Sequence, residues 1–320
     1  MREIGFVISH KENEKRRALI PADIETLKHA DKLWFEKGYG NILGYSDSDY
    51  VQAGAHVGST KEVYAKEVIC NPKFPEPDER SLLSKEQTIF GWIHAVQGKE
   101  ITNFLVNANM TAIAWEDMFE KGRHVFWRNN ELSGEAALIH AIPFFGRSIY
   151  ECEVAVIGRG NAAIGAIRIL ERLGARIKVY NRRMEQLLRD EISSYDIVVN
   201  AVLWDVFRKD RLLYKDDIKK MRKGSMIIDI SCNHTMELET SHPTPISDPV
   251  YEVDGVLHYS ADHTPSLLWK TATESISKEV SRFIDTIIEG KEKDDPVLRD
   301  AIVIEKGEII DQRISRFQNR

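Results

Sequence analysis

Short apolar runs recur along the chain, each followed by a polar stretch bearing glycine or proline, or by apolar residues at helical spacing. Residues 4–9, 31–40, 67–70, 88–93 and 111–115 read as strands, and a helix is predicted to begin near Pro21 to Asp23, where proline suits a first turn. Residues 46–58 read as a short helix followed by a turn. An amphipathic helix is predicted over 133–149. Beyond it the pattern gives a strand at 154–157, a helix with apolar Ile164, Ile167, Leu170 and Leu173, and a strand at 177–180. A strand at 196–201, a helix at 215–221 and a strand at 225–230 follow. Residues 245–290 read as a turn-rich loop and then one long helix. Residues 291–295, KEKDD, read as a solvated turn.

Strands alternating with helices predict parallel sheets. The fold class is therefore α/β: two Rossmann-like, doubly wound parallel-sheet domains with a cleft between them. The expected substrate domain is 1–130, completed by 272–320, because the long helix can cross back to it. The expected nucleotide domain is 131–271. Three prolines in NPKFPEPDE fix a rigid loop just past the strand at 67–70, at the carboxyl edge where open α/β sheets bind ligands.

Gly158, Gly160 and Ala163 fall at G-x-G-x-x-A spacing between a strand and a helix, with Asn161 inside the turn. Gly158 permits the tight turn, Gly160 lets backbone N–H groups approach a pyrophosphate, and Ala163 allows close helix-to-strand packing. The plainer alternative is that the glycines only turn a corner. An NAD-preferring site usually carries Asp or Glu at the end of the second strand, to bond the ribose 2′-hydroxyl. Here that position is Asn181, followed by Arg182 and Arg183. A neutral amide beside two guanidinium groups suits a 2′-phosphate, so the expected cofactor is NADP(H). The alternative is that both arginines belong to a solvated helix start.

Composition narrows the partners. Lys+Arg 44 against Asp+Glu 50 gives a net charge of −6, which provides no basic field for nucleic acid. Cys70, Cys152 and Cys232 are odd in number and far apart, so neither a disulfide framework nor a Cys-x-x-Cys metal site is expected, and no His-Glu-x-x-His spacing occurs. No signal-peptide-like or membrane-spanning run is visible, so the expectation is a soluble cytoplasmic protein with no membrane partner.

Three separated segments resemble one superfamily. NEKRRALIP is similar to the N-E-x-R-V-A-L-T-P opening of the alanine dehydrogenases, shared in outline with the transhydrogenase NAD-binding subunit and lysine-forming saccharopine dehydrogenase. QTIFGWIH and NMTAIAWE resemble their strand ending in histidine and their V-T-A-I-A-Y-E. GSMIIDISCNHTMELET and DGVLHYSADHTP resemble the cofactor-domain end. Within the superfamily, the short chain, the NADP-type turn and the GFVISHKENEKRRALIP opening most resemble the branch that reductively joins pyruvate to the side-chain amine of ornithine. The resemblance implies Arg16 as the group holding a substrate carboxylate, with Arg17 the alternative, and Lys73 as a group polarising a carbonyl or binding that carboxylate. It implies His94 as the proton donor and a homo-oligomeric assembly. The plain alternatives are a surface lysine and a satisfied core histidine. Asn233, assigned to the cofactor site, stands where alanine dehydrogenases have aspartate, and His263 replaces the asparagine of their A-N-M-P; both changes favour a larger amine, ornithine or lysine, over ammonia. A saccharopine-type or alanine-type dehydrogenase and a non-catalytic NADP-binding regulator remain the alternatives.

Overall fold

The strands are short; in chain order they are β1 (Ile4–Phe6), β2 (Leu33–Glu36), β3 (His56–Gly58), β4 (Val68–Asn71), β5 (Thr88–Gly91), β6 (Thr111–Ala114), β7 (Phe119–Glu120), β8 (Arg123–His124), β9 (Glu153–Ile157), β10 (Arg176–Tyr180), β11 (Ile197–Asn200), β12 (Met226–Asp229), β13 (Val250–Val253), β14 (Val256–Tyr259), β15 (Ile302–Glu305) and β16 (Glu308–Ile309). The computed structural model describes residues 1–232 and 236–320. It forms two units, Met1–Trp127 with Trp269–Arg320, and Arg128–Leu268.

The first unit holds an eight-stranded sheet in the order β16-β15-β6-β5-β4-β1-β2-β3. Strands β1 to β6 run parallel, so they need cover on both faces, and their near-continuous apolar sequences supply it. One face buries Phe6, Phe35, Cys70 and Phe90. Helix Trp269–Ile288 lays Ile276, Val280, Ile284 and Ile287 into that same cluster, at the helical repeat. The other face buries Val63, Ile69, Ile89 and Ala112.

The second unit is a six-stranded sheet in the order β10-β9-β11-β12-β14-β13, parallel except for β13. Helices Trp127–Phe145 and Asn161–Arg172 meet backbone to backbone beside it. A Cβ built on Gly134 would lie 2.0 Å from the Ala162 carbonyl, and one on Gly165 would lie 1.9 Å from the Glu131 carbonyl. Arg128 and Arg168 then straddle Glu131 and Glu135; the Arg128 Nη1 donates to Glu131 at 2.9 Å and to Glu135 at 2.8 Å, and the Arg168 Nη1 donates to Glu131 at 3.1 Å.

Several expectations change. The helix predicted at 133–149 runs Trp127–Phe145 and stops before Gly146, whose φ of +69° leaves the helical region. The region read as loop before the long helix contains the β13–β14 hairpin. Its turn is Asp254-Gly255, with φ of +53° and +83°, the type that matches strand twist. A second hairpin, β15–β16, turns at Lys306-Gly307 and gives the first sheet an antiparallel edge. Residues 291–295 do more than face solvent: Glu292 is buried and pairs with Arg2, while Asp295 caps helix Pro296–Asp300 through the N–H groups of Val297 and Leu298. Among the described residues no helix is long and apolar enough to cross a membrane, and no group of His, Cys, Asp or Glu could hold a metal ion.

His258 on β14 is fully buried, with Nδ1–H donating to the Val256 carbonyl at 3.0 Å and Nε2 2.8 Å from the Thr240 hydroxyl. Burial pushes its pKa down from the ordinary 6.5 to about 4. An imidazole with a depressed folded pKa stabilises the native state above its unfolded pKa and loses that contribution as pH falls from about 6.5 through about 4. Replacing His258 with Asn is therefore expected to remove up to roughly 3 kcal/mol of acid sensitivity over this window. Urea midpoints of both proteins at pH 7 and pH 4 measure it, and parallel changes in the two would sink the attribution.

Candidate functional site

In the first unit the chemistry gathers at the carboxyl ends of β4 and β5 and in the loop after β1. That loop turns at Asn13, which has φ of +57°, and Glu14 and Arg16 then meet. Glu14 Oε1 accepts from the Arg16 Nε at 2.8 Å and from the Arg16 N–H at 3.0 Å, while Oε2 accepts from Nη2 at 2.5 Å. Burial opposes the charge on Glu14, yet the Arg16 guanidinium and the Lys73 ammonium together hold its carboxyl below the usual carboxylate range. Arg16 is itself buried and lies over the Trp92 ring, 4.9 Å from its centroid. Glu14 thus takes the Nε–Nη2 edge of Arg16, one of the two edges a guanidinium offers to a carboxylate.

Arg17 has a different occupation. Its Nε donates to the Tyr39 carbonyl at 2.6 Å and its Nη1 to the Arg16 carbonyl at 2.9 Å, and its backbone N–H donates to the Thr273 hydroxyl at 2.9 Å. Arg17 secures the loop, whereas Arg16 shares Glu14 with Lys73. Lys73 is half-buried in the proline loop after β4. Asn71, the last residue of β4, is buried, and its Nδ2 has no hydrogen-bond partner among the described residues. Sequence reasoning passed over it; a polar residue closing the apolar run VIC was the available signal.

His94 is exposed, three residues beyond the end of β5, not buried in the strand as the plain alternative had it. Its φ is +52°, and its backbone N–H donates to Glu116 Oε1. Glu116, two residues beyond β6 in the turn Trp115–Asp117, was also missed: nothing in the sequence links it to a turn 22 residues earlier.

In the second unit the carboxyl ends of β9, β10 and β11 lie side by side. Gly158 has φ of +116°, and a Cβ there would lie 2.5 Å from the Ala201 carbonyl, so this turn requires glycine. Gly160 precedes helix Asn161–Arg172, and no side chain caps that helix. Among the described residues no side chain caps its first-turn N–H groups, and nothing lies within 4 Å of a Cβ built on Gly160. Asn161 is half-buried in that first turn, and Ala163 is fully buried against the sheet. A phosphate fits this open, uncapped helix start through backbone donors and the helix dipole. Gly160→Ala is expected to keep the fold but weaken nucleotide binding about tenfold or more, since the methyl fills the space the phosphate needs. Nucleotide titration beside a thermal melt checks this, and unchanged affinity would reject the placement.

Asn181 follows β10 and caps the Arg182–Met184 turn, its Oδ1 accepting from the Arg183 N–H at 2.9 Å. Arg182 and Arg183 are exposed, and the Arg182 Nη2 donates to the Leu203 carbonyl at 2.9 Å. Ile157, Asn181, Arg182, Val202 and Trp204 line a recess here. Its carboxylate, Glu185, is held bidentately by Arg208 at 2.8 and 2.9 Å. Asn233 lies outside the described residues. His263 has a buried side chain and φ of +45°, with Nδ1 3.4 Å from the Asp262 carboxylate.

Two family models match, the alanine dehydrogenase/PNT N-terminal domain over residues 7–126 and the alanine dehydrogenase/PNT C-terminal domain over 183–312. The chain belongs to the alanine dehydrogenase/PNT family. Within it, the chain is 28% identical to the N(5)-(carboxyethyl)ornithine synthase of Lactococcus lactis subsp. lactis (strain IL1403), over 88% of this chain and 96% of that protein. It is 25% identical to alanine dehydrogenase 1 of Staphylococcus aureus (strain NCTC 8325 / PS 47), over 98% of this chain and 95% of that protein. A solved L-alanine dehydrogenase shares the family fold with a TM-score of 0.85 at 24% identity, covering 99% of both chains.

Proposed function

We propose that the protein is an NADPH-dependent oxidoreductase that condenses pyruvate with the side-chain amine of ornithine, or of lysine, and reduces the resulting imine to an N-(1-carboxyethyl) amino acid. The likeness to N(5)-(carboxyethyl)ornithine synthase over nearly the full length supports the reaction class. The observation that carries the cofactor choice is the recess after β10: its strand-end residue is Asn181, two arginines follow, and its carboxylate is already neutralised by Arg208. A 2′-phosphate meets cations there, where an NAD site would offer a carboxylate.

In this reading the Gly158–Ala163 turn holds the pyrophosphate, and Asn181, Arg182 and Arg183 hold the 2′-phosphate. The bound cofactor supplies the hydride. Lys73 binds the keto-acid carboxylate and polarises its carbonyl. Arg16, with one edge held by Glu14, adds positive potential and fixes the carboxylate between Lys73 and itself. The amine attacks the carbonyl to give a carbinolamine, and His94 gives the hydroxyl a proton as water leaves, so that a cationic imine is ready for reduction. Catalysis lies in orientation and in placing these charges. The assembly is a homo-oligomer.

Loss of NADPH absorbance with pyruvate and, separately, ornithine, lysine and ammonia is the direct test, each repeated with NADH. Oxidation of NADPH with ornithine or lysine, at least tenfold faster than with NADH, is the expected result. Turnover with ammonia alone would replace the reading by an alanine-type dehydrogenase. Tight NADPH binding with no turnover for any amine would favour a regulator.

A further inference from the structure

We propose that Glu116 is a positioning residue for His94, holding the turn after β5 in the conformation that presents the imidazole outward; the inference rests on the reading of His94 as proton donor. Both oxygens of the Glu116 carboxylate are committed to consecutive backbone amides. The Ile93 N–H donates to Oε2 at 3.1 Å and the His94 N–H to Oε1 at 2.5 Å. Two neighbouring N–H groups that converge on one side make a concave anion site, and here the anion belongs to the protein.

The clamp has something to hold. His94 sits at φ of +52°, where any residue with a Cβ is strained, and such a conformation persists only if its surroundings impose it. The side chains on either side, Ile93 and Ala95, are buried, while His94 is exposed. On the far side the Gly98 N–H donates to the His94 carbonyl at 2.9 Å, so the residue is fixed through both its N–H and its C=O.

Glu116 is itself anchored. It follows Trp115, which is fully buried and stacked on Phe126, with ring centroids 4.6 Å apart. The His124 Nδ1 accepts the Phe126 N–H at 3.1 Å, and the backbone of Glu116 and Trp115 partly offsets the effect of burial on that ring. Burial lowers the His124 pKa, which keeps that ring neutral beside the carboxylate. The next acid, Asp117, is paired with Arg313 at 2.7 Å and takes no part. Neither glutamine nor alanine does the work of Glu116 here: glutamine offers one acceptor oxygen and turns its amide hydrogens toward the second N–H, and alanine offers nothing.

The test uses the full chain with Glu116→Gln and Glu116→Ala, the glutamine variant standing in if the alanine variant fails to fold. Hydrogen exchange over the segment 92–98 reads the clamp without any turnover, and exchange there is expected to rise at least tenfold while NADPH affinity stays within twofold. With pyruvate, ornithine and NADPH, kcat is expected to fall tenfold or more with KM for pyruvate within twofold. The pH at which the rate breaks should not move. The double variant with His94→Ala should be no slower than His94→Ala alone, because both substitutions remove the same step. Unchanged exchange, unchanged kcat, or losses that multiply in the double variant would each overturn the proposal. A pH break that disappears with Glu116→Gln would overturn it as well, since Glu116 would then be the titrating group. If the wild-type protein turns over no amine, the functional reading fails, and the exchange measurement alone still decides whether Glu116 holds the turn.

Discussion

Gly165→Ala is expected to destabilise the second unit by about 3 kcal/mol or more, lowering its unfolding temperature by roughly 10 °C. The added methyl would lie 1.9 Å from the Glu131 carbonyl, a backbone atom that cannot rotate away. Helices Trp127–Phe145 and Asn161–Arg172 would have to separate, and the Arg128, Arg168, Glu131 and Glu135 bonds at their crossing would stretch with them. Alanine normally favours a helix interior over glycine, so intrinsic propensity works in the opposite direction and makes the sign decisive. Thermal unfolding of Gly165→Ala beside Gly160→Ala, where the new methyl meets nothing within 4 Å, isolates the crossing. Equal melting temperatures would show that the helices part at little cost.

The second large effect belongs to His94. Substituting glutamine should lower kcat with pyruvate and ornithine by a hundredfold or more, because proton donation of this kind is worth 10² to 10⁴ in rate. Glutamine keeps hydrogen bonding and similar bulk but cannot release a proton. The backbone bonds to Glu116 survive the change, and the exposed side chain supports no core, so folding and NADPH affinity should remain as they were. Steady-state rates with a parallel nucleotide titration decide it. Turnover within tenfold of the parent protein would remove His94 from the reaction.

What the sequence disclosed follows from the range of the interactions involved. Strands β4, β5, β9, β11 and β12 were visible because a parallel strand buried on both faces must be apolar throughout, as VIC, TIF, VAVI, IVV and MII are. Gly158 was visible because a local backbone requirement leaves a local mark. The hairpins at Asp254-Gly255 and Lys306-Gly307 were missed because one strand of each, β13 and β16, is short and at most partly buried, which blurs the alternation, although Asp-Gly is itself a turn signal. Glu14 and Glu116 were missed for another reason. Each acts on a residue brought to it by a turn or a neighbouring strand, and an acidic side chain carries no sign in the sequence of being spoken for. The two arginines at 16 and 17 could be ranked from sequence only by motif; their separate partners, Glu14 and the Tyr39 carbonyl, give the distinction a physical basis.

The discontinuity of the first unit sets the order in which the chain can mature. Helix Trp269–Ile288 and the β15–β16 hairpin complete a core and a sheet edge begun by residues 1–127, yet they emerge from the ribosome only after all of 128–268. Until then β6 is an open edge, and the face that will receive Ile276, Val280 and Ile284 is bare. The middle segment is continuous and can fold first, so the amino-terminal part must wait through its neighbour's synthesis as a sticky intermediate. Truncation before residue 269 should therefore yield a chaperone-bound or aggregated product, and the 128–268 segment expressed alone should be the piece that stays in solution.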